Sequence, residues 1–447
     1  MSSIETQTAV MSARKGYGPG EVPTWDFYSK CIHCGLCLNA CPTYRELGVE
    51  MDSPRGRIYQ MIQVERGRLP LGKSFVRHMD LCLDCRACET ACPSGVEYGR
   101  LVEAARGQIE KYYQRPWFET TLRKFFFRSL LPHRNRLEFA GKVLRFYQRS
   151  GLEAVTRAML GIFPGRLARV ARLAPRMEKP FFMERLGTVV PAIGERRYRV
   201  AFFAGCIANL AFARLNDATV RVLARNGCEV VIPRDQGCCG ALDVHAGIRD
   251  VARDLARRNL DAFLAEDFDA IITNAAGCGA VLKEYPQLFE SEQPEILGRA
   301  RAFSARVKDV TEFLAGVDFN RELGTIKARA TYQDPCHLGH AQRIRSAPRK
   351  LLAAVPGLEF VELKESEICC GSAGVYNVVH NEMAERLLAA KMRRIEESGA
   401  DLVVTANPGC LLQLRAGASG SKRRNAKIVH VVELLDEAYE LGARHSS

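Results

Sequence analysis

Beyond residue 197 the chain alternates short apolar runs with longer stretches of helical period, and it does so twice. "RVAFFAGC", "CEVVIP" and "DAIITNAAGC" have counterparts in "ARATYQDPC", "LEFVELK" and "DLVVTANPGC". Helical stretches such as "AERLLAAKMRRIEESGA" lie between them. Apolar strands alternating with helices predict parallel α/β units, here two lobes over 198–322 and 323–447. Upstream the pattern is helical. Ser53 reads as an N-cap and Pro54 as the first helical residue, followed by an apolar face of Ile58, Met61, Ile62 and Val64. Residues 106–197 interleave aromatic and basic positions at roughly helical spacing with prolines as breaks, which predicts a few short linking helices. Residues 1–24, with "GYGPGE", are polar and predict a flexible tail. The fold class is therefore α/β: a helical domain over 25–105, a helical linker, and two tandem parallel α/β lobes.

Composition supports this and narrows the compartment. A chain of 447 residues with 47% hydrophobic and 26% charged positions has room for about three globular domains. The longest apolar run, "VAFFAGCIANLAFA", falls short of the ~18 residues of a membrane span. The N-terminus shows no apolar signal-peptide core, so a soluble cytoplasmic protein is expected. Residues 101–199 hold 21 Lys and Arg against 8 Asp and Glu, which accounts for the whole net charge of +13. A basic, aromatic, amphipathic segment suits an anionic membrane surface on the inner face of the cell membrane, or an acidic partner, with Arg169, Arg172 and Arg176 as candidate contacts; a plain solvated face is the alternative. No recognition module accompanies the charge, which argues against nucleic acid.

Seventeen cysteines in a reducing compartment point to metal or redox chemistry and not to a disulfide framework. "CIHCGLCLNACP" sets Cys31, Cys34, Cys37 and Cys41 at C-x2-C-x2-C-x3-C-P, and "CLDCRACETACP" repeats it with Cys82, Cys85, Cys88 and Cys92. This is the bacterial ferredoxin spacing for a [4Fe–4S] cluster, whose fourth cysteine ligates the other cluster in two-cluster proteins. The expected ligand sets are Cys31, Cys34, Cys37 and Cys92 for one cluster, and Cys82, Cys85, Cys88 and Cys41 for the second. A pair of zinc sites would not require a third C-x2-C step followed by x3-C-P. His33 reads as a spacer between ligands. Pro42 and Pro93 are expected to stop helix continuation. Arg55 and Arg57 either neutralise cluster charge or are solvated helix arginines.

The lobes carry a second cysteine pattern. Cys206, Cys238, Cys239 and Cys278 recur as Cys336, Cys369, Cys370 and Cys410 at offsets of 130 to 132 residues, which marks a duplicated domain. The last cysteine of each set follows a strand's carboxyl end, where open α/β sheets place their sites. In an extended strand the paired cysteines would point to opposite faces; a tight turn at Gly240 or Gly371 could bring both thiols to one centre. These eight are candidate ligands of one or two further metal centres, cluster or zinc, with structural thiols as the alternative. Cys228 stands apart as a small core residue.

From about residue 25 onward the chain resembles the iron–sulfur subunits of bacterial glycolate oxidase, within the superfamily of CCG domains related to heterodisulfide reductase. The resemblance rests on "CIHCGLCLNACPTY", "DSPRGRIYQM", "CLDCRACETACPSGV", "GCCGALDVH", "GCGAVLKEY", "CCGSAGVY" and "TANPGC". It implies a hetero-oligomer in which flavin-containing subunits oxidise glycolate to glyoxylate and this chain, with two [4Fe–4S] clusters, passes electrons towards a quinone or another acceptor. No strand-linked G-x-G-x-x-G or base constellation occurs, so no flavin, nicotinamide or catalytic residue is expected in this chain. The competing readings are a thiol–disulfide enzyme like heterodisulfide reductase, or the iron–sulfur subunit of a lactate or glycerol-3-phosphate dehydrogenase. In the disulfide reductases each lobe ends in C-x-x-C. The first place of that pair is Ala275 or Asn407 here, one thiolate short in each lobe.

Overall fold

The computed structural model describes residues 14–156, 174–419 and 426–445; Arg169 and Arg172 lie outside these. The N-terminal domain packs helices Pro54–Glu65, Lys73–Asp80 and Tyr98–Tyr112 around Ile58, Met61, Val64, Phe75, Met79, Leu101, Val102 and Ala105. The helix start at Ser53 is as expected: its Oγ accepts from the Gly56 amide at 3.0 Å and Pro54 follows as N1. Pro42 behaves differently. It opens helix Pro42–Leu47 as its first residue, where a missing N–H costs nothing, so it starts a helix and does not stop one. Helix Tyr98–Tyr112 runs straight through the expected domain boundary at 105/106, because its buried face continues from Leu101 to Ile109.

Residues 14–24 are laid against the domain; residues 1–13 of the expected tail lie outside the described residues. The Gly18 amide donates to Gln108 Oε1 at 2.8 Å, Gln108 Nε2 donates to the Glu21 carbonyl at 2.8 Å, and Tyr112 Oη donates to the Pro19 carbonyl at 2.7 Å. Polar side chains of the long helix thus satisfy a backbone that the sequence pattern left without partners.

In the linker, helix Trp117–Arg123 runs into a π-helical turn, Lys124–Leu130, followed by helix Arg134–Arg149. One face buries Phe127, Leu131 and Leu137 in the core of the first lobe with Phe182 and Leu210. The other leaves Trp117, Phe118, Phe125, Phe139 and Phe146 exposed.

The first lobe holds a five-stranded sheet built from β1 (Val189–Val190), β2 (Tyr198–Phe203), β3 (Cys228–Val231), β4 (Ala270–Thr273) and β5 (Val307–Asp309), in the order β1-β3-β2-β4-β5. All pairs are parallel except β1 with β3. That antiparallel edge strand comes from the linker, so the sheet begins before residue 198. The second lobe holds β6 (Ala328–Tyr332), β7 (Leu358–Val361), β8 (Leu402–Thr405) and β9 (Lys427–His430), all parallel in the order β7-β6-β8-β9. Alternate residues of β2 face opposite layers: Val200 and Phe202 one core, Ala201 and Phe203 the other. One core continues across both lobes, which are also joined by Arg221 with Asp436 and by Asn226 with Tyr439. Among the described residues no helix is long and apolar enough to cross a membrane.

Candidate iron–sulfur and thiol sites

The two ferredoxin-type loops fold alike. In each, the residues before and after the second cysteine have positive φ: His33 and Gly35 in one, Asp84 and Arg86 in the other. This left-handed geometry curls the backbone so that three cysteines of a short run converge. His33 is exposed and serves through its backbone. The thiols that act on one another fall into two groups. Burial raises Cys31, with Cys92 and Cys34 adding to it, and burial pushes Cys37 up to about 11, with Cys31 and Cys41 adding to it. Cys85 and Cys88 are raised by burial and by Cys82 and Cys41. Cys92 of the second run thus acts on Cys31 of the first, and Cys41 of the first run acts on Cys85 and Cys88 of the second as well as on Cys37 of its own. The first group is half-exposed at the surface; Cys41, Cys82, Cys85 and Cys88 are buried.

The arginines divide. Arg55 lies at the surface, bonding Glu50 and donating to the His33 carbonyl at 3.0 Å. Arg57 is fully buried; it donates to the His78 carbonyl at 2.7 Å and to Thr43 Oγ1 at 3.2 Å. Although burial opposes its charge, Cys82, Cys41 and the buried Asp52 carboxylate, 3.5 Å away, favour the charged form. Asp84 N–H and Tyr98 Oη donate to Cys82 Sγ at 3.4 and 3.8 Å. Buried positive charge and N–H donors around four thiols suit an anionic cluster.

In the lobes the thiols also come together. Cys206 follows β2, the doublet follows β3, and Cys278 sits in the first turn of helix Ala276–Leu288 after β4. This is the point where the strand order reverses and ligands settle in open α/β sheets. The second lobe repeats it, with Cys410 in the first turn of helix Pro408–Ala418. The doublet turns need glycine: Gly240 has φ +78° and Gly371 φ +88°, and a Cβ on Gly371 would stand 2.6 Å from the Ala384 carbonyl oxygen. Cys206 and Cys238 lie 3.4 Å apart, and contact continues through Cys239 to Cys278. Cys336, Cys369, Cys370 and Cys410 form a matching chain. Cys228, fully buried in β3, belongs to the core.

The second lobe abuts the buried ferredoxin group. Cys85, Leu83 and Ala87 pack with Cys369 and Tyr376, with Cys336 against them. After burial, Cys336 is the strongest influence raising Cys85. Tyr376 Oη donates to the Leu81 carbonyl at 3.0 Å. A cleft of about 610 Å³ opens beside this junction, lined by Asn39 and Thr90 of the two runs and by His340 and Arg345 of the lobe.

A buried charge network ties the first lobe to the same loop. Arg86 donates to Asp84 Oδ1 at 2.9 Å and to Glu103 Oε1 at 2.7 Å, and His245 Nδ1 lies 3.1 Å from Asp84 Oδ2. Burial alone would lower His245, but hydrogen bonds to Asp84 and Glu103 raise it to about 9. Asp84, Glu103 and His245 lie close enough to hold a cation, and the Arg86 guanidinium already fills that role. Burial raises Glu284, at its edge, to about 7.

The comparisons agree with this layout. Residues 28–96 match the 4Fe-4S dicluster domain, 118–174 the linker region of the glycolate oxidase iron-sulfur subunit, and 200–283 and 330–415 the cysteine-rich domain. The "Probable glycolate oxidase iron-sulfur subunit" of Bacillus subtilis (strain 168) is 43% identical over 419 residues, 91% of this chain and 93% of that protein. The chain belongs to the family of glycolate oxidase iron–sulfur subunits. The "Glycolate oxidase iron-sulfur subunit" of Escherichia coli (strain K12) is 34% identical over 92% of this chain and 94% of its own length. "Lactate utilization protein A" of Bacillus subtilis is 30% identical over 53% of this chain and 99% of its own.

Within this family frame, sequence reasoning missed the residues around the cysteines. Asp84 and Arg86 occupy variable positions of the second cysteine run, and their partners Glu103 and His245 lie far off in the chain. Lys391, inside a helix of ordinary amphipathic pattern, is 1% exposed. Asn407, read from the sequence only as the place of an absent thiolate, is the N-cap of its helix; its Nδ2 donates to Cys410 Sγ at 3.4 Å and its Oδ1 accepts from the Gly277 amide of the other lobe at 3.3 Å.

Proposed function

We propose that this chain is the electron-carrying subunit of a complex that oxidises glycolate, a 2-hydroxy acid, in flavin-containing partner subunits and delivers electrons towards a quinone or another acceptor. The ligand sets are Cys31, Cys34, Cys37 and Cys92 for one [4Fe–4S] cluster and Cys82, Cys85, Cys88 and Cys41 for the other; the lobe quartets are sites for further centres. When bound, such clusters supply one-electron transfer without bond making. The chain's own residues hold them, keep water from the inner one, and balance its charge through Arg57.

The observation that carries this reading is the packing of Cys85 against the second quartet at Cys336. It makes a continuous series from a half-exposed group, through a buried one, to a lobe. The exposed aromatic and basic face of the linker supports docking on an anionic membrane surface at the inner face of the cell membrane. In the assembled complex, Cys34→Ser or Cys85→Ser should each remove one cluster by iron counting and EPR and stop reduction of the acceptor. Flavin reduction by glycolate should persist. Zinc in place of iron in anaerobically purified protein would refute the assignment.

A further inference from the structure

The lobes are duplicates in cysteines but not in charge. Behind each doublet runs one helix, Arg249–Phe263 in the first lobe and Asn381–Ser398 in the second. Ala252 and Ala384 lie against Gly240 and Gly371, which aligns the two helices at an offset of 132 residues. At that offset Asn259 corresponds to Lys391. Asn259 is a neutral clamp: its Oδ1 accepts from the Gly237 amide and its Nδ2 donates to the Cys238 carbonyl, both at 2.9 Å. Lys391 Nζ donates to the carbonyls of Glu365 at 2.7 Å and Ser366 at 3.0 Å, just before the second doublet. The same place thus holds an amide in one lobe and an ammonium in the other.

A buried ammonium requires a counter-charge. No carboxylate among the described residues lies within ion-pair distance of Lys391. Burial lowers Lys391, and Cys370, Cys369 and, more weakly, Glu367 act against burial to keep it charged. It shares a cavity of about 30 Å³ with Cys369 and with Pro42, the neighbour of Cys41. The first lobe has no ammonium in this place. It has Asp243, fully buried and without a hydrogen-bond partner at either oxygen, which burial pushes up to about 7 and which acts on Cys206 and Cys238. Its counterparts at offsets of 131 and 132 residues are Gly374 and Val375, which carry no charge.

We propose that Lys391 is the fixed counter-charge of the second thiol quartet, so that the second lobe holds an anionic thiolate centre more firmly, and at a higher potential, than the first. This rests on the reading of the quartets as metal sites. A cation beside the quartet favours the more reduced, more negative state. Lys391 touches no substrate and acts as a positioning and charge-setting residue.

The test uses the full chain, purified anaerobically and reconstituted with ferrous iron and sulfide, as wild type, Lys391→Met, Lys391→Arg and Asp243→Asn. Alkylation mapped by mass spectrometry reports each quartet separately, and EPR potentiometry reports any iron centre. Lys391→Met should raise labelling of Cys369 and Cys370 about tenfold or lower the potential of that lobe's centre, and leave Cys238 and Cys239 unchanged. Lys391→Arg should restore wild-type behaviour, and Asp243→Asn should protect only the first lobe. Equal effects of Lys391→Met on both lobes, or none on either, would overturn the proposal. Rapid labelling of both quartets in the reconstituted wild type, with iron for only two clusters, would instead sink the metal-site reading. The counter-charge then stands or falls on free thiols: in wild type the second doublet should label faster than the first, and Lys391→Met should erase the difference. Equal rates in wild type would dismiss it.

Discussion

His337, directly after Cys336, donates from Nε2 to the carbonyl of Asp84, directly before Cys85, at 2.8 Å. A single imidazole therefore pins the second lobe to the inner ferredoxin loop. Its ring also lies 5.1 Å from that of His245, so three parts of the chain meet at this point.

Replacing His337 with Phe keeps a ring and removes the donor. The buried Asp84 carbonyl then lacks this partner, at a cost of about 1–3 kcal/mol. Amide exchange over residues 82–88 should accelerate relative to the rest of the N-terminal domain. Exchange that stays at the wild-type rate would show that the contact does not hold the loop.

His430 predicts the acid side of the stability profile. Fully buried, it receives the Val432 amide at Nδ1 and donates from Nε2 to the Asn274 carbonyl across the lobe interface at 3.0 Å. Burial depresses it from 6.5 to about 4. Between those values the unfolded chain binds more protons, so this contribution is fully present above about pH 6.5 and is lost as pH falls towards 4. Between pH 7.5 and 5.5 the loss is about 1 kcal/mol. Denaturant melts of wild type and His430→Gln should differ in slope over that window; parallel curves would refute the assignment.

The doublet turns predict an unequal pair of glycine variants. Left-handed backbone costs a residue with a Cβ roughly 1–2 kcal/mol. Gly371→Ala adds a 2.6 Å approach to a carbonyl oxygen, whereas the nearest atom for Gly240→Ala is the Ala252 Cα at 3.3 Å. Gly371→Ala should lower the melting temperature more. The reverse order would mean that the second doublet turn tolerates rearrangement.

On the linker, Phe139 and Phe146 are each 69% exposed and lie two turns apart on one helix. Phe139→Glu with Phe146→Glu should reduce sedimentation with phosphatidylglycerol vesicles and leave thermal stability near wild type. Binding of the unmodified chain should weaken with salt, since the Debye length falls from about 10 Å at 0.1 M to about 3 Å at 1 M. Undiminished binding of the double variant would place the contact elsewhere.

Two kinds of information account for how much was legible beforehand. Periodicity and spacing are local, and they gave the strands around Val200, Ile271, Ala330 and Val403, the helix start at Ser53, and the duplicated cysteines. Long-range satisfaction of polar groups leaves no local trace. Gln108 fastening residues 18–21, Arg86 between two carboxylates, and Lys391 reaching two carbonyls each depend on a partner that only the fold supplies. The linker shows both effects: its helices follow from pattern, but its last segment pairs with β3 for want of any other cover on that edge.

That last pairing has a consequence for the lobe as a separate unit. Val189 and Val190 lie along Val231 and Val230, and the Gly187 amide donates to the Ile232 carbonyl at 2.7 Å. An open β3 would offer a row of unspent amides and carbonyls to any passing strand. By covering Val230 and Val231 with its own chain, the protein leaves only a two-residue edge strand on that side of the first lobe, which offers little to a second copy. A fragment cut at residue 198 would lose this guard and should self-associate through the very strand that leads to Cys238 and Cys239.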